Sequence, residues 1–287
     1  MSREKFVILS LFLLFAKNIT AQEMVQIWQD QKVRHGDEAT LMPFLADDSD
    51  GTAIIICPGG SYFWLDDGNE GEEVAEWLQE QGISSFVLRY RVAGFGAFFW
   101  HHRRIFRGRQ HPDMLKDAQQ ALKYVKEHST DYHIDPDRLG LLGFSAGGHL
   151  ALMTACFSDK EENRPAFVGA IYPVVTMNAP YAHDRSRRAL LSECKQNNQI
   201  MRDSLSIERH IPDDCPPVFL INCRNDDVVD YHNSILLDSA LTAKNIDHRY
   251  IQYKMGKHGF GVSEVFGSKE SRQWKYEFVN WLKELKF

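Results

Sequence analysis

The sequence Leu139-Gly140-Leu141-Leu142-Gly143-Phe144-Ser145-Ala146-Gly147-Gly148-His149 carries the strongest structural signal in this chain. An apolar run ends in a Gly-x-Ser-x-Gly motif, and an apolar helical pattern follows, which predicts a strand, a tight turn and a helix. Glycine suits positions 143 and 147 because a side chain there would collide with the neighbouring strand and helix. We predict that this turn presents the Ser145 hydroxyl as a nucleophile; an ordinary structural turn is the alternative.

Short apolar runs alternate with amphipathic stretches along the rest of the chain, a pattern typical of a mostly parallel sheet with helices on both faces. The predicted strands are 52–57, 84–90, 139–144, 167–172, 218–222 and 248–253. The predicted helices are 70–81, 112–128, 146–156, 233–244 and 268–285. Residues 24–43 are predicted to form an antiparallel edge. The sequence therefore predicts one α/β domain over residues 22–287, with a doubly wound, mostly parallel sheet flanked by helices.

Residues 1–21 are predicted to lie outside this domain. Arg3 and Lys5 precede an apolar run, 6–16, and a short polar tail that ends at Ala21. This order is typical of a secretory signal peptide, and the apolar run is shorter than the roughly 20 residues that span a bilayer. We expect cleavage after Ala21, a secreted or periplasmic protein, and no stable membrane insertion of the mature chain. An uncleaved membrane anchor is the alternative.

Charge and cysteine content exclude several functions. The formal net charge of −6 argues against general nucleic-acid binding. The five cysteines show no metal-ligand spacing such as Cys-x-x-Cys, and no carboxylate cluster accompanies the histidines of residues 93–111. We therefore expect neither a metal nor another cofactor. Cys194 and Cys215 lie in irregular sequence and could form a disulfide in an oxidising compartment.

Two further segments of the chain contain candidates for the acid and the histidine that would activate a serine nucleophile. A serine hydroxyl reacts well only when a histidine takes its proton and an acid orients that histidine. In doubly wound hydrolases these groups occur in the order serine, acid, histidine. Asp226 and Asp227 follow the predicted strand 218–222, and His258 follows the last predicted strand. We favour Asp226 as the acid because Asp-x-x-Val spacing makes Val229 an anchor, with Asp227 as the alternative.

A glycine-containing loop, Pro58-Gly59-Gly60-Ser61-Tyr62, follows the predicted strand 52–57. Glycine there lets backbone N–H groups approach a developing oxyanion, and each such donor lowers a reaction barrier by about 3 kcal/mol. We predict that the N–H groups of Gly60, Ser61 and Ala146 form an oxyanion hole. An ordinary glycine turn is the alternative.

Two long loops, 93–111 and 173–217, interrupt the alternation of strands and helices. The first mixes aromatic and basic residues and leaves the carboxyl end of a strand, where ligands bind in such sheets. The second could form a small cap, since loops of this length are usually functional or disordered. The residues expected to contact a substrate are Tyr62, Trp100, Arg103 and Arg104. Alternatively, the aromatic side chains of 93–111 pack on the protein and its arginines are merely solvated.

Taken together, these segments resemble the α/β-hydrolase superfamily, and more closely the secreted bacterial esterases grouped with acetyl-xylan esterases and feruloyl-esterase-like proteins. The segments that carry the resemblance include 58–62, 143–150, Asp226-Asp227-x-Val229 and His258-Gly259-Phe260-Gly261. The resemblance implies a serine esterase that removes small acyl groups, chiefly acetyl, from an oligo- or polysaccharide such as xylan or pectin. The chain departs from the family's pattern at Ser61, where a third glycine is common, at residues 230–232, and in the longer, more basic loop 93–111.

Two other functions fit the same motifs. A peptidase of the prolyl-oligopeptidase type shares the serine turn and the order of the three residues, but it usually carries a propeller domain that these 287 residues do not suggest. A non-catalytic glycan-binding protein could retain the three residues as a relic.

Overall fold

The structure, a computed structural model, describes residues 23–28, 39–99, 109–158 and 160–285. Its strands are β1 (Val25–Gln26), β2 (Thr40–Phe44), β3 (Ala53–Cys57), β4 (Ser84–Arg89), β5 (Leu139–Phe144), β6 (Val168–Ile171), β7 (Val218–Cys223) and β8 (His248–Tyr253). Its helices are α1 (Glu73–Glu80), α2 (Gly94–Phe99), α3 (Asp113–Glu127), α4 (Ala146–Cys156), α5 (Asp184–Leu191), α6 (Gln199–Ser204), α7 (His232–Ala243) and α8 (Trp274–Glu284).

These strands form one sheet in the order β1-β2-β4-β3-β5-β6-β7-β8. The pairs β1–β2 and β2–β4 are antiparallel, and every pair from β4 through β3 to β8 is parallel. The chain winds from β3 to β4 in one direction and from β5 to β8 in the other. The predicted doubly wound sheet with an antiparallel edge is therefore confirmed, and its switch point, where such sheets bind ligands, lies between β3 and β5.

The central strand β3 shows how the sequence builds a core on both faces of the sheet. Ile55 packs with buried side chains of α3 and α4, whereas Ile54 and Ile56 pack on the opposite face with those of α1 and α8. All three isoleucines have no exposed surface. Successive side chains of a strand point to opposite faces, so a strand covered on both sides is apolar throughout.

Helix ends and the long loops differ from the sequence prediction. The helix predicted at 70–81 starts as a π-helical turn, Gly68–Glu72, and that predicted at 268–285 becomes α-helical only at Trp274. Helix α2 lies within 93–111, and α5 and α6 lie within 173–217, where no helix was predicted. Residues 1–22 and 100–108, which include Trp100, Arg103 and Arg104, lie outside the described residues. In the parts of the chain that are described, every helix is too short or too polar to cross a bilayer.

The disulfide considered between Cys194 and Cys215 is not formed, because all five cysteines carry free thiols. Cys194 is exposed, whereas Cys215 is buried. The neighbour of Cys215 is Cys156 at the end of α4, and the contact between these two thiols raises the pKa of Cys156.

Candidate active site

Ser145 lies in the sharp turn between β5 and α4. Its backbone has φ 53° and ψ −117°, a conformation that costs energy for any residue with a side chain. A Cβ atom on Gly143 would overlap the Gly147 carbonyl oxygen, and one on Gly147 would overlap the Cys57 carbonyl oxygen at the end of β3. Both glycines of the motif are thus required by the close approach of β3, β5 and α4.

His258 contacts both Ser145 and Asp226. Its Nε2 atom lies 2.9 Å from Ser145 Oγ, and its Nδ1 atom lies 2.6 Å from Asp226 Oδ2. The Asp226 side chain is 1% exposed and that of His258 is 11% exposed, so water competes little for these bonds. Asp227 is exposed. Of the two aspartates left open by the sequence, Asp226 is therefore the one that meets the histidine.

The loops that carry Asp226 and His258 are fixed by backbone hydrogen bonds. Asp226 Oδ1 accepts the N–H groups of Val228 and Val229, both at 2.9 Å, which leaves Oδ2 for the histidine. Asn225 Oδ1 accepts the N–H groups of Gly256 at 2.9 Å and Lys257 at 3.1 Å, and so ties the two loops together. The role of Asn225 was not predictable from the sequence, because an asparagine in a loop indicates only a turn.

The loop after β3 holds backbone N–H groups near Ser145. Gly60 and Ser61 both have positive φ, 122° and 57°, and a Cβ atom on Gly60 would overlap the Trp64 carbonyl oxygen. Ala146 is the first residue of α4, where a helix leaves its N–H groups without intrahelical partners. No described residue accepts a hydrogen bond from the N–H of Gly60, Ser61 or Ala146. These three N–H groups remain the candidates for an oxyanion hole.

Tyr62 does not line this site, which corrects the expectation that it contacts a substrate. Its side chain has no exposed surface, and its hydroxyl lies 2.8 Å from His149 Nδ1. The other ring nitrogen of His149 lies 2.9 Å from the Leu205 carbonyl oxygen, so Nε2–H donates and Nδ1 accepts. Burial lowers the pKa of His149 to about 4. His149 is thus a buried structural histidine that links Tyr62 to the Leu205 carbonyl group.

A cluster of aromatic and basic side chains, here called the Trp64 wall, follows the same loop. The Trp64 ring stacks on Phe95 of α2 with centroids 5.4 Å apart, and the Arg185 guanidinium lies 6.0 Å from the Trp64 ring. Phe95 is 60% exposed, and Arg185 is also exposed. Sequence analysis gave no role to Trp64 or Arg185, because the chain brings them together only through α5. Phe95 belongs to α2, which ends at Phe99, and Trp100, Arg103 and Arg104 follow outside the described residues.

The long crossover also brings His183 towards the site. Its Nδ1 atom lies 2.8 Å from Ser186 Oγ at the start of α5. Burial, together with the nearby charges of His258 and Arg185, lowers the pKa of His183 to about 4. His183 is therefore a neutral hydrogen-bonding group at neutral pH.

This arrangement suits acyl transfer, because it combines a hydroxyl nucleophile, an imidazole base, an orienting carboxylate and free N–H donors. Within the described ranges, no group of three or more His, Cys, Asp or Glu side chains is placed to hold a metal ion.

Comparison with known proteins finds relatives that match most of this chain. Over 250 residues, or 86% of this chain, it is 29% identical to an acetylxylan esterase of Xylanibacter ruminicola. Over 252 residues, or 83% of this chain, it is 28% identical to endo-1,4-beta-xylanase B of Butyrivibrio fibrisolvens. The chain spans only 48% and 38% of the length of these two relatives.

A solved structure extends the similarity over nearly the whole chain. The acetyl ester-xyloside bifunctional hydrolase of Caldicellulosiruptor lactoaceticus superposes with a TM-score of 0.79 at 29% identity, covering 94% of this chain and 98% of that one. The BD-FAE family model matches residues 48–241, which include Ser145 and Asp226. The chain has an α/β-hydrolase fold and belongs to the BD-FAE family.

Proposed function

We propose that this protein is a serine esterase that removes small acyl groups, chiefly acetyl, from carbohydrates such as xylan or pectin. The observation that carries the proposal is the pair of contacts from His258 to Ser145 Oγ and Asp226 Oδ2, at 2.9 and 2.6 Å. The names of the acetylxylan esterase and the acetyl ester-xyloside hydrolase support an acylated carbohydrate as the substrate class.

In the first half of the reaction, Ser145 Oγ attacks the ester carbonyl carbon while His258 Nε2 takes the hydroxyl proton. The carbonyl oxygen becomes an oxyanion and accepts hydrogen bonds from the N–H groups of Ala146 and of Gly60 or Ser61. Asp226 holds the imidazole in the tautomer that has Nε2 free and stabilises the imidazolium that forms. The intermediate then collapses: the bond to the sugar oxygen breaks, and that oxygen takes the proton from His258.

In the second half, water replaces the sugar. His258 Nε2 takes a proton from water, and the hydroxide oxygen attacks the carbonyl carbon of the acyl-enzyme. The same N–H groups hold the second oxyanion. The bond to Ser145 Oγ breaks, the serine recovers its proton from His258, and the carboxylic acid leaves. No step needs a cofactor.

Release of acetate from acetylated polysaccharides tests this proposal. We expect the purified chain to release acetate from acetylated xylan or pectin and to hydrolyse p-nitrophenyl acetate, with no cleavage of aminoacyl p-nitroanilides. Cleavage of the anilides in preference to the acetate would instead favour a peptidase of the prolyl-oligopeptidase type. Glycan binding without either hydrolysis would favour the relic.

We also propose that residues 1–21 are a signal peptide and that residues 22–287 form the secreted catalytic domain. The charged start, apolar run and small residue at Ala21 support this division. Expression of the full chain in a secreting bacterium should yield extracytoplasmic protein whose amino terminus is Gln22. Recovery in the membrane fraction with residue 1 retained would favour an anchor.

A further inference from the structure

Glu70 is a buried carboxylate that the reaction as written does not use. It lies in the π-helical turn before α1 and is 3% exposed. Burying a carboxylate costs free energy unless its oxygens accept hydrogen bonds. Both oxygens of Glu70 do so: one accepts from Gly59 in the loop after β3, and the other accepts from Tyr172, which directly follows β6.

One oxygen of Glu70 supports the loop that carries the proposed oxyanion donors. Oε2 accepts the Gly59 N–H at 2.8 Å, one residue before Gly60. The fit is close: a Cβ atom on Gly59 would overlap the Glu70 carboxylate and lie 3.0 Å from Ser145 Cβ. A shift of the carboxylate would therefore move the backbone from which Gly60 and Ser61 donate.

The other oxygen supports the loop that carries His258. Oε1 accepts the Tyr172 hydroxyl at 2.8 Å, and that hydroxyl oxygen accepts the Gly261 N–H at 3.1 Å. The Tyr172 ring also packs against the His258 imidazole, with centroids 4.6 Å apart. The chain Gly59–Glu70–Tyr172–Gly261 thus joins the two loops beneath the reacting atoms.

The geometry points to Glu70 as a positioning residue that holds the oxyanion loop and the His258 loop in one arrangement. This inference rests on the proposed esterase function and goes beyond it, because it assigns a role to a residue that touches neither substrate nor Ser145 Oγ. An ionised carboxylate accepts both hydrogen bonds at once, whereas an amide has only one acceptor oxygen.

The burial of Glu70 and its neighbouring titratable groups set the pKa of its carboxyl group. Burial raises the pKa of Glu70 to about 7, while the charge of His258 and the hydrogen bond from Tyr172 oppose this rise. The titratable groups that act on it or feel its charge are His258, Tyr172, Asp66 and Tyr90. Protonation of Glu70 turns one of its oxygens into a donor, so the Tyr172 hydroxyl or the Gly59 N–H loses its carboxylate acceptor. The carboxylate also favours the imidazolium that His258 forms during reaction.

Glu70→Gln keeps the size of the side chain and removes one acceptor. If the amide oxygen accepts the Gly59 N–H, the NH2 group faces Tyr172 and can only donate to its oxygen, so the Tyr172 hydroxyl proton loses its acceptor. We expect kcat for p-nitrophenyl acetate to fall about 10- to 100-fold, because misplaced catalytic groups reduce a reaction rate by factors of this size. KM should change less than about threefold. The acid limb of the kcat profile should move to lower pH, because a charge that favours the imidazolium is gone. Glu73→Gln, an exposed change three residues along, is the matched control and should leave kcat and the profile unchanged.

Tyr172→Phe tests the other half of the bridge without changing a charge. It should lower kcat in the same direction, and the double variant with Glu70→Gln should lose less than the product of the two single losses, because both act through one bridge. Full independence of the two losses would overturn the inference. If Glu70→Gln does not fold, Tyr172→Phe alone decides, and wild-type kcat in that variant would overturn it.

Assays of wild type and Ser145→Ala alongside these variants distinguish a failure of the proposed esterase function from a failure of the proposed role of Glu70. A wild type without esterase activity, or an active Ser145→Ala, contradicts the proposed function. An active wild type, an inactive Ser145→Ala and a folded Glu70→Gln with wild-type kcat and pH profile contradict only the role of Glu70.

Discussion

At the scale of single residues, two neighbouring aspartates follow β7, and they differ in burial and in their contact with His258. Asp226 is almost fully enclosed and meets His258, whereas Asp227 is exposed. A carboxylate on Nδ1 fixes the imidazole tautomer, and its charge stabilises the imidazolium. The pair therefore supplies its own matched control for the role of the acid.

Asp226→Asn should reduce kcat for p-nitrophenyl acetate by about 10⁴-fold, because an amide at this place favours the wrong tautomer of His258. Asp227→Asn removes the same charge from the next residue and should stay within about twofold of wild type. Steady-state kinetics on the two purified variants make the comparison. A larger loss of kcat in Asp227→Asn than in Asp226→Asn would show that Asp227, and not Asp226, is the acid.

Sequence alone could identify Ser145, Asp226 and His258 as candidates, because each follows a strand in the order that a doubly wound sheet imposes. It could not identify Glu70 or Asn225 as supports. Tyr172, which bonds Glu70, is 102 residues away from it, and the N–H groups that bond Asn225 are 31 and 32 residues away. No local pattern records such contacts, and Tyr62 was misassigned because loop sequence does not say which side chain turns inward.

At the scale of elements, the sheet was predictable and the long loops were not. Buried strands such as β3 are apolar throughout, and amphipathic helices such as α3 show the spacing of their buried face. Helix α2 has the sequence Gly-Phe-Gly-Ala-Phe-Phe, which carries two glycines and no polar face. Its packing on Trp64, rather than its own pattern, explains why it forms where it does.

The loop 93–111 should affect carbohydrate substrates selectively. We propose that its basic and aromatic residues, with the Trp64 wall at its base, contact the sugar part of the substrate. Replacing residues 100–108 with a short Gly-Ser link should keep p-nitrophenyl acetate turnover within about threefold and sharply reduce acetate release from acetylated polysaccharide. Equal retention of both activities would remove the loop from the binding site. Loss of both with loss of folding would show that the loop packs on the protein instead.

At the scale of the whole molecule, buried titratable groups link stability to pH. His149 is held neutral in the core, with its pKa lowered to about 4 from 6.5. Below pH 6.5 the imidazole of residue 149 binds a proton in the unfolded chain but not in the folded chain. The free energy of unfolding therefore decreases as the pH falls towards 4. His183 acts in the same direction, whereas Glu70, whose pKa is raised to about 7 from 4.5, acts in the opposite one.

The His149 contribution can be isolated by its pH dependence. The difference of 2.5 between pKa values of 6.5 and about 4 corresponds to about 3 kcal/mol of stability that is present above pH 6.5 and lost by pH 4. His149→Gln should be less stable than wild type at pH 7, and the gap should shrink by about 3 kcal/mol on going to pH 4. Urea unfolding at several pH values measures this gap, and a gap that stays constant would show that His149 does not titrate as described.

In the proposed reaction, Ser145, activated by His258, is the nucleophile of an ester hydrolase. The most direct measurement is the turnover of p-nitrophenyl acetate by Ser145→Ala, with circular dichroism as the control for folding. A triad that acts as a unit loses about 10⁴- to 10⁶-fold in kcat when its nucleophile is removed. We predict a loss of this size with an unchanged spectrum. A folded Ser145→Ala that keeps activity within about tenfold of wild type would contradict the account.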